Sequence, residues 1–162
     1  MRAMAPADAP SATPGKDAAS LEYKMYLFST GTVNVTAITS PVLNFAPDRP
    51  IRYAVAFDDE APQIVTVVPQ DYNAKNGNKD WEESVKNNAR FGRTTHTLAK
   101  SGQHTLKVWM VDPGVVLQKL IVDLGGVKPS YLGPPESYHN LSARAQPHKK
   151  PAPAHRKPAS KR

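Results

Sequence analysis

Asp58-Asp59-Glu60 is the densest group of carboxylates in the chain, and His96, His104, His139, His148 and His155 are its histidines. Acid–base cleavage of a glycosidic bond needs two carboxyl groups facing each other across about 5–9.5 Å. Three adjacent acids on an extended chain point in different directions, so this run forms no such pair and reads as a solvated acidic turn. Nor does it alternate ligands as a Ca²⁺ loop does. The histidines form no HExxH pattern. His96 and His104 fall where neighbouring strands would bring them side by side, but zinc takes three or four ligands, and the two read as ordinary sheet histidines. No serine sits in a GxSxG elbow and no glycine run suits a phosphate loop. The chain has no cysteine, which excludes a disulfide scaffold, a CxxC redox pair and a thiolate zinc site. These residues predict no catalytic group, no metal and no cofactor.

The aromatic residues offer a different chemistry. A flat exposed ring stacks on the apolar face of a sugar through CH–π and apolar contact, much as aromatics stack on one another. Trp109 alternates with Thr105 and Lys107 and opposes the stripe His104, Leu106, Val108, Met110. It therefore belongs either to a second apolar layer or to a surface. Tyr72 and Trp81 lie in a stretch that interrupts the strand pattern. Trp109, Tyr72 and Trp81 are the candidate carbohydrate contacts.

Elements of period two must position them. Leu21, Tyr23, Met25 and Leu27 alternate with polar neighbours, Ser29-Thr30-Gly31 breaks the run, and Val33, Val35 and Ala37 resume it; the spacing predicts a hairpin over 21–39. Ile51, Tyr53, Val55 and Phe57 form the clearest stripe. Further strands are predicted over Gln63–Val68, Thr94–Ala99, His104–Met110 and Val115–Leu124, with prolines and glycines between the runs. Residues 80–90 are read as a helix. Asp80 is placed to cap it with Glu83 three residues on, Trp81 and Val85 share a face, and Arg90 lies where the helix dipole favours a cation. Seven or eight short strands without βα alternation predict an all-β fold. The expected form is an antiparallel β-sandwich of jelly-roll or galactose-binding-like type, with one short inserted helix.

The 162 residues suit one domain. Residues 1–19, rich in Ala, Pro and Ser, are expected to be an extended or disordered lead-in, and 20–138 the folded body. The net charge of +7 is local: residues 143–162 hold seven basic residues and no acid, leaving 14 basic against 14 acidic residues in 1–142. The segment 139–162 therefore reads as a basic, Pro/Ala/Lys-rich disordered tail, and the body is neutral. Such a tail could meet a polyanion through counterion release, but without interleaved aromatics it implies no specific nucleic acid. No stretch nears the roughly 18 apolar residues of a membrane span, and the N-terminus lacks the apolar core of a signal peptide.

Three segments carry a family resemblance: APSATPGKDAASLEYKMYLFSTG (9–31), SPVLNFAPDRPIRYAVAFDDEAPQIV (40–65) and GQHTLKVWMVDPGVVLQKLIVDLGGVKPSYLGPPES (102–137). The chain resembles the C-terminal domain of glycoside hydrolase family 115, the xylan α-glucuronidases. The resemblance implies a β-sandwich, a xylan or glucuronoxylan context and an exported parent, periplasmic or extracellular. The family's catalytic residues lie in upstream domains, so none has a matching position here. An acidic Glu-Ala-Glu type strand would be expected at the start of the family's domain, where this chain has Met1-Arg2-Ala3-Met4. The chain therefore reads as a non-catalytic accessory domain lacking its first strands, with catalytic domains and xylan-type polysaccharide as partners and an unpaired edge that invites self-association. The alternative is a stand-alone carbohydrate- or polyanion-binding protein.

Overall fold

The computed structural model describes residues 5–130 and 133–138. In chain order the elements are β1 (Ser20–Leu27), β2 (Gly31–Thr39), β3 (Ile51–Phe57), β4 (Gln63–Val68), α1 (Lys79–Asn87), β5 (Arg90–Leu98), β6 (Gly102–Met110) and β7 (Leu117–Asp123). They form two antiparallel sheets, ordered β1-β6-β3-β4 and β5-β2-β7. The fold is an all-β sandwich with one short helix. The basic tail expected over 139–162 lies outside the described residues.

The alternating apolar residues meet between the sheets. Ile51, Tyr53, Val55 and Phe57 of β3, Leu106 and Val108 of β6, and Leu27 of β1 face Val33, Val35 and Ala37 of β2 and Leu98 of β5. Each large side chain withdrawn from water here contributes about 1.5–3 kcal/mol. β3 is also closed on its other face, because Ala54 and Ala56 lie with Trp109, Val111 and Ala18 in a second apolar cluster.

The hairpin predicted over 21–39 does not form. β1 pairs with β6 and β2 pairs with β5 and β7, so residues 28–30 carry the chain from one sheet to the other. The turn after β5 makes the same crossing, and the two crossings lie side by side: Leu27 opposes Gly102, and Gly31 opposes Leu98. A short glycine-containing break suits a hairpin and a crossing equally. Strands far along the chain, β5, β6 and β7, decide between them.

The helix also differs from its prediction. Its N-cap is Asn78, whose side chain accepts hydrogen bonds from the amides of Asp80 and Trp81, and Glu82 rather than Glu83 reaches back, to the Gly77 amide. Asn88 ends the helix in the left-handed conformation, with φ of 49°. The buried helical residue is Ser84, while Val85 is exposed and Trp81 half-buried. Arg90 is not a helix-terminal cation. It opens β5, and its buried side chain returns to the first turn of α1.

The lead-in is extended but fastened to the body. The Ala12 amide donates to the Val111 carbonyl, and the Met110 amide donates to the Ala19 carbonyl. Between these anchors the chain makes a tight turn on the Thr13 carbonyl, which brings Ala18 against the second apolar cluster. Low apolar content forecast little burial, and little is buried. What holds the segment is hydrogen bonding to distant parts of the chain, residues 110–112 and Arg49.

Candidate functional site

Trp109 sits on the outer face of the four-stranded sheet, opposite Ser20 on one side and Ala54 on the other. Only 8% of its surface is exposed. Two alanines on the neighbouring strand leave room for the indole to lie close to the sheet, and Val111 and Ala18 flank it. Of the two positions open to it, Trp109 takes the second apolar layer, and its ring presents no free face for a sugar.

Tyr72 and Trp81 are brought to one region, at the first turn of α1. Three polar side chains are joined there. Arg90 donates from Nη1 to Asp80 Oδ2 at 2.7 Å and to the Val67 carbonyl at 3.1 Å, and from Nη2 to the Tyr72 hydroxyl at 2.5 Å. The guanidinium carbon lies 4.7 Å from the centre of the Tyr72 ring, a cation–π contact. Burial raises the Asp80 pKa, but the Tyr72 hydroxyl and the Arg90 charge outweigh it and hold the carboxyl below its ordinary value. The Tyr72 hydroxyl is pushed up by its own burial, with Asp80 adding to the effect and Arg90 opposing it. Tyr72 thus clamps the loop before α1 to the start of β5, and one of its faces already serves the guanidinium.

Beside this clamp is a cavity of about 230 Å³, lined by Asp80, Glu83, Ser84 and Asn87 from the helix side and by Tyr53 and Arg90 from the sheets, among others. The Tyr53 hydroxyl and Arg90 Nε are both buried without a hydrogen-bond partner. Burial pushes the Tyr53 hydroxyl up to about 12. Gly92 makes the hydroxyl's position possible, since a Cβ there would lie 1.9 Å from it.

The acidic turn 58–60 is not simply solvated. Asp58 accepts from the Thr105 amide at 2.8 Å and pairs with His104 Nδ1 at 2.7 Å. Burial raises its pKa, but the Thr105 amide, His104 and Lys100 together bring it below the ordinary value. Glu60 accepts from the Phe57 amide at 2.7 Å and contacts His96 Nδ1. Both imidazoles stand edge-on to Phe57, with ring centres 5.2 and 6.4 Å away. The two histidines lie on strands of opposite sheets rather than side by side.

Thr94, His96 and Glu60 line up as a hydroxyl, an imidazole and a carboxylate, with Thr94 Oγ1 2.8 Å from His96 Nε2. The same order activates a nucleophile in hydrolases. Here Thr94 is 6% and His96 2% exposed, so no substrate reaches the hydroxyl. His104 Nε2 donates to the Lys100 carbonyl at 3.0 Å, which occupies the nitrogen a general base would use. Both pairs fasten the β3–β4 turn across the end of the sandwich.

A further hub centres on Asp112. This residue is fully buried and receives hydrogen bonds from Arg52 Nε at 2.8 Å and Ser11 Oγ at 2.5 Å, while Arg49 Nε stands 3.7 Å away. Arg49 also donates to the Ala9 carbonyl at 2.6 Å. The hydrogen bond to Asp112 raises the Arg52 pKa further. No local pattern marks such a hub, because its members come from three separate parts of the chain. Among the described residues no group of three or more His, Asp and Glu is placed to hold a metal ion, and no helix is long and apolar enough to cross a membrane.

Residues 2–136 match the model of the glycosyl hydrolase family 115 C-terminal domain. The chain belongs to this family. Among solved structures, the domain is similar to one described as a novel family GH115 4-O-methyl-alpha-glucuronidase with specificity for decorated arabinogalactans. The identity is 18% and the TM-score 0.54, over 67% of this chain and 14% of that one. At that identity the likeness is one of fold, and this family 115 C-terminal domain spans a small part of the solved protein's length. A search of curated proteins finds no match.

Proposed function

We propose that this domain is a non-catalytic module of a family 115 type α-glucuronidase. It packs on the catalytic domains and contacts the polysaccharide on which they act, xylan or glucuronoxylan. The observation that carries the reading is the family match over residues 2–136. The inward chemistry of the domain supports it. Asp58, Glu60, Asp80 and Asp112 are each committed to a histidine or an arginine that ties separate segments together, and the hydroxyl–imidazole–carboxylate alignment is closed to substrate. The decorated arabinogalactans named for the solved relative are a second polysaccharide class for the same role. Self-association through the free side of β1 belongs to this reading as well, because a strand at a sheet edge offers unpaired amides and carbonyls.

The test is incubation of the purified chain with glucuronoxylan oligosaccharides and with decorated arabinogalactan oligosaccharides. The expected result is no release of 4-O-methylglucuronic acid from either; release by the chain alone overturns the reading.

A second reading, a stand-alone polyanion-binding protein, draws on the seven basic residues of 143–162. Deleting those residues would abolish polyanion affinity under it and leave carbohydrate contact by the domain untouched under the first.

A further inference from the structure

Tyr26 and Phe28 are the aromatic residues that folding leaves most open among those at the β1 edge, 57% and 88% exposed. Their rings touch each other, with centres 5.0 Å apart and planes inclined at 57°. Tyr26 lies on the outer face of the four-stranded sheet, opposite Gln103, and Lys24 on the same face opposes Thr105. Tyr26, Lys24, Gln103 and Thr105 line an open cleft of about 480 Å³, with Met25 and His104 between them turning their side chains to the other face, and Phe28 standing beside it against Tyr26. That volume falls within the usual range of about 300–1,000 Å³ for small-ligand sites, and the cavity beside α1, at about 230 Å³, does not.

The chemistry of this cleft is unlike that of the other polar clusters in the molecule. The Asp112, Arg90, His96 and His104 groups are occupied with one another. Among the described residues, the Lys24 ammonium, the Gln103 amide and the Thr105 hydroxyl make no hydrogen bond or ion pair within the protein. A pair of exposed rings beside unengaged donors and acceptors matches a pyranose, which has an apolar C–H face and a hydroxylated rim. The lysine adds a positive charge at one side of the cleft.

We propose that the outer face of the four-stranded sheet, at its β1 edge, is a binding cleft for a polysaccharide chain bearing acidic substituents. Tyr26 and Phe28 form the stacking platform, Gln103 and Thr105 hydrogen-bond the hydroxyls, and Lys24 pairs with the carboxylate. The proposal rests on the reading of the domain as a polysaccharide-contacting module and gives that role a location.

The experiment is affinity electrophoresis of the full chain through gels containing glucuronoxylan, or the same polymer after its carboxyl groups have been reduced to alcohols. The unaltered chain is expected to be retarded by both, and more by the acidic form. Tyr26→Ala with Phe28→Ala should weaken both interactions by about tenfold. Lys24→Gln should weaken the acidic one alone, by about threefold. All three side chains are exposed, so unchanged melting temperatures verify the fold. Phe91→Ala, which removes an exposed ring from β5 in the other sheet, serves as the comparison and should bind as the parent does. Equal retardation of the Tyr26/Phe28 double variant and the unaltered chain overturns the cleft, as does retardation lost only on deleting 143–162, or no retardation by either polymer. Any of these leaves the non-catalytic assignment standing, because that fails only on release of uronic acid.

Discussion

The Tyr53 hydroxyl and Gly92 fit each other so closely that the smallest side chain would not be tolerated between them. A Cβ on Gly92 would lie 1.9 Å from the hydroxyl, 2.8 Å from Val65 Cγ1 and 3.0 Å from Tyr53 Cζ. Overpacking of this kind costs about 1–3 kcal/mol, so Gly92→Ala is expected to lower unfolding stability by at least that much in urea melts. Tyr53→Phe removes a buried hydroxyl that has no partner in the protein. It should be neutral or stabilise by about 1 kcal/mol. Combined with Gly92→Ala, it should recover part of the loss, since the closest clash disappears and the contacts with Val65 and the ring remain. A fully additive double variant would show that the hydroxyl is not what Gly92 accommodates. The sequence at this point offered only the stripe to which Tyr53 belongs. The need for glycine at position 92 arises because β3 and β5, on opposite sheets, approach each other there.

The lead-in and the helix each owe their place to partners outside themselves. Residues 9–19 have no large apolar side chain to bury, yet they are fastened through Asp112, Arg49 and the backbone of Met110 and Val111 and close one side of the Trp109 cluster. Removing residues 1–19 is therefore expected to expose the indole, shifting tryptophan fluorescence to the red and lowering the melting temperature. It would also leave Asp112 without its Ser11 contact while the pair with Arg52 persists. Unchanged emission after the deletion would show that the indole is held by Ala54, Ala56 and Val111 alone. In α1 the short polar residues Asn78 and Asn88 set both ends, the first by its side chain and the second by its left-handed backbone. A helix near 80–90 was legible from the acids and the spacing of the apolar residues. The identity of its cap was not, because Asn78 and Asp80 are both good capping residues and Arg90 recruits Asp80 instead.

At the scale of the whole molecule, two lowered carboxylates link the sandwich to pH. Asp58 pins the β3–β4 turn to β6, and Asp80 pins the helix to β5; both have pKa values below the ordinary 3.8. A carboxyl depressed by folding contributes stability that is fully present above its unfolded value and is lost as pH falls through its folded one. The domain is thus expected to keep its stability down to pH near 3.8 and to lose it progressively below, as both carboxyls take up protons. Thermal melts from pH 7 to 2.5 would check this, with Asp80→Asn showing a shallower acid decline. A parallel decline in the parent and the variant would remove Asp80 from the account. By itself the sequence determined the fold class. Period-two stripes at 21–27, 33–37, 51–57 and 104–110 specify which face of each strand is buried, and the burial of those faces follows from the cost of leaving them in water. It also determined the family, since the distinctive segments, all but the last residue of the third, lie within the matched residues. Only the tertiary structure decided which strands pair, that residues 28–30 cross between sheets, that Trp109 is enclosed, and that Tyr26 and Phe28 remain open. Those outcomes depend on what lies opposite each residue across a sheet or between sheets. A pattern of alternation states that a side chain has a face, but the element that meets that face comes from a distant part of the chain.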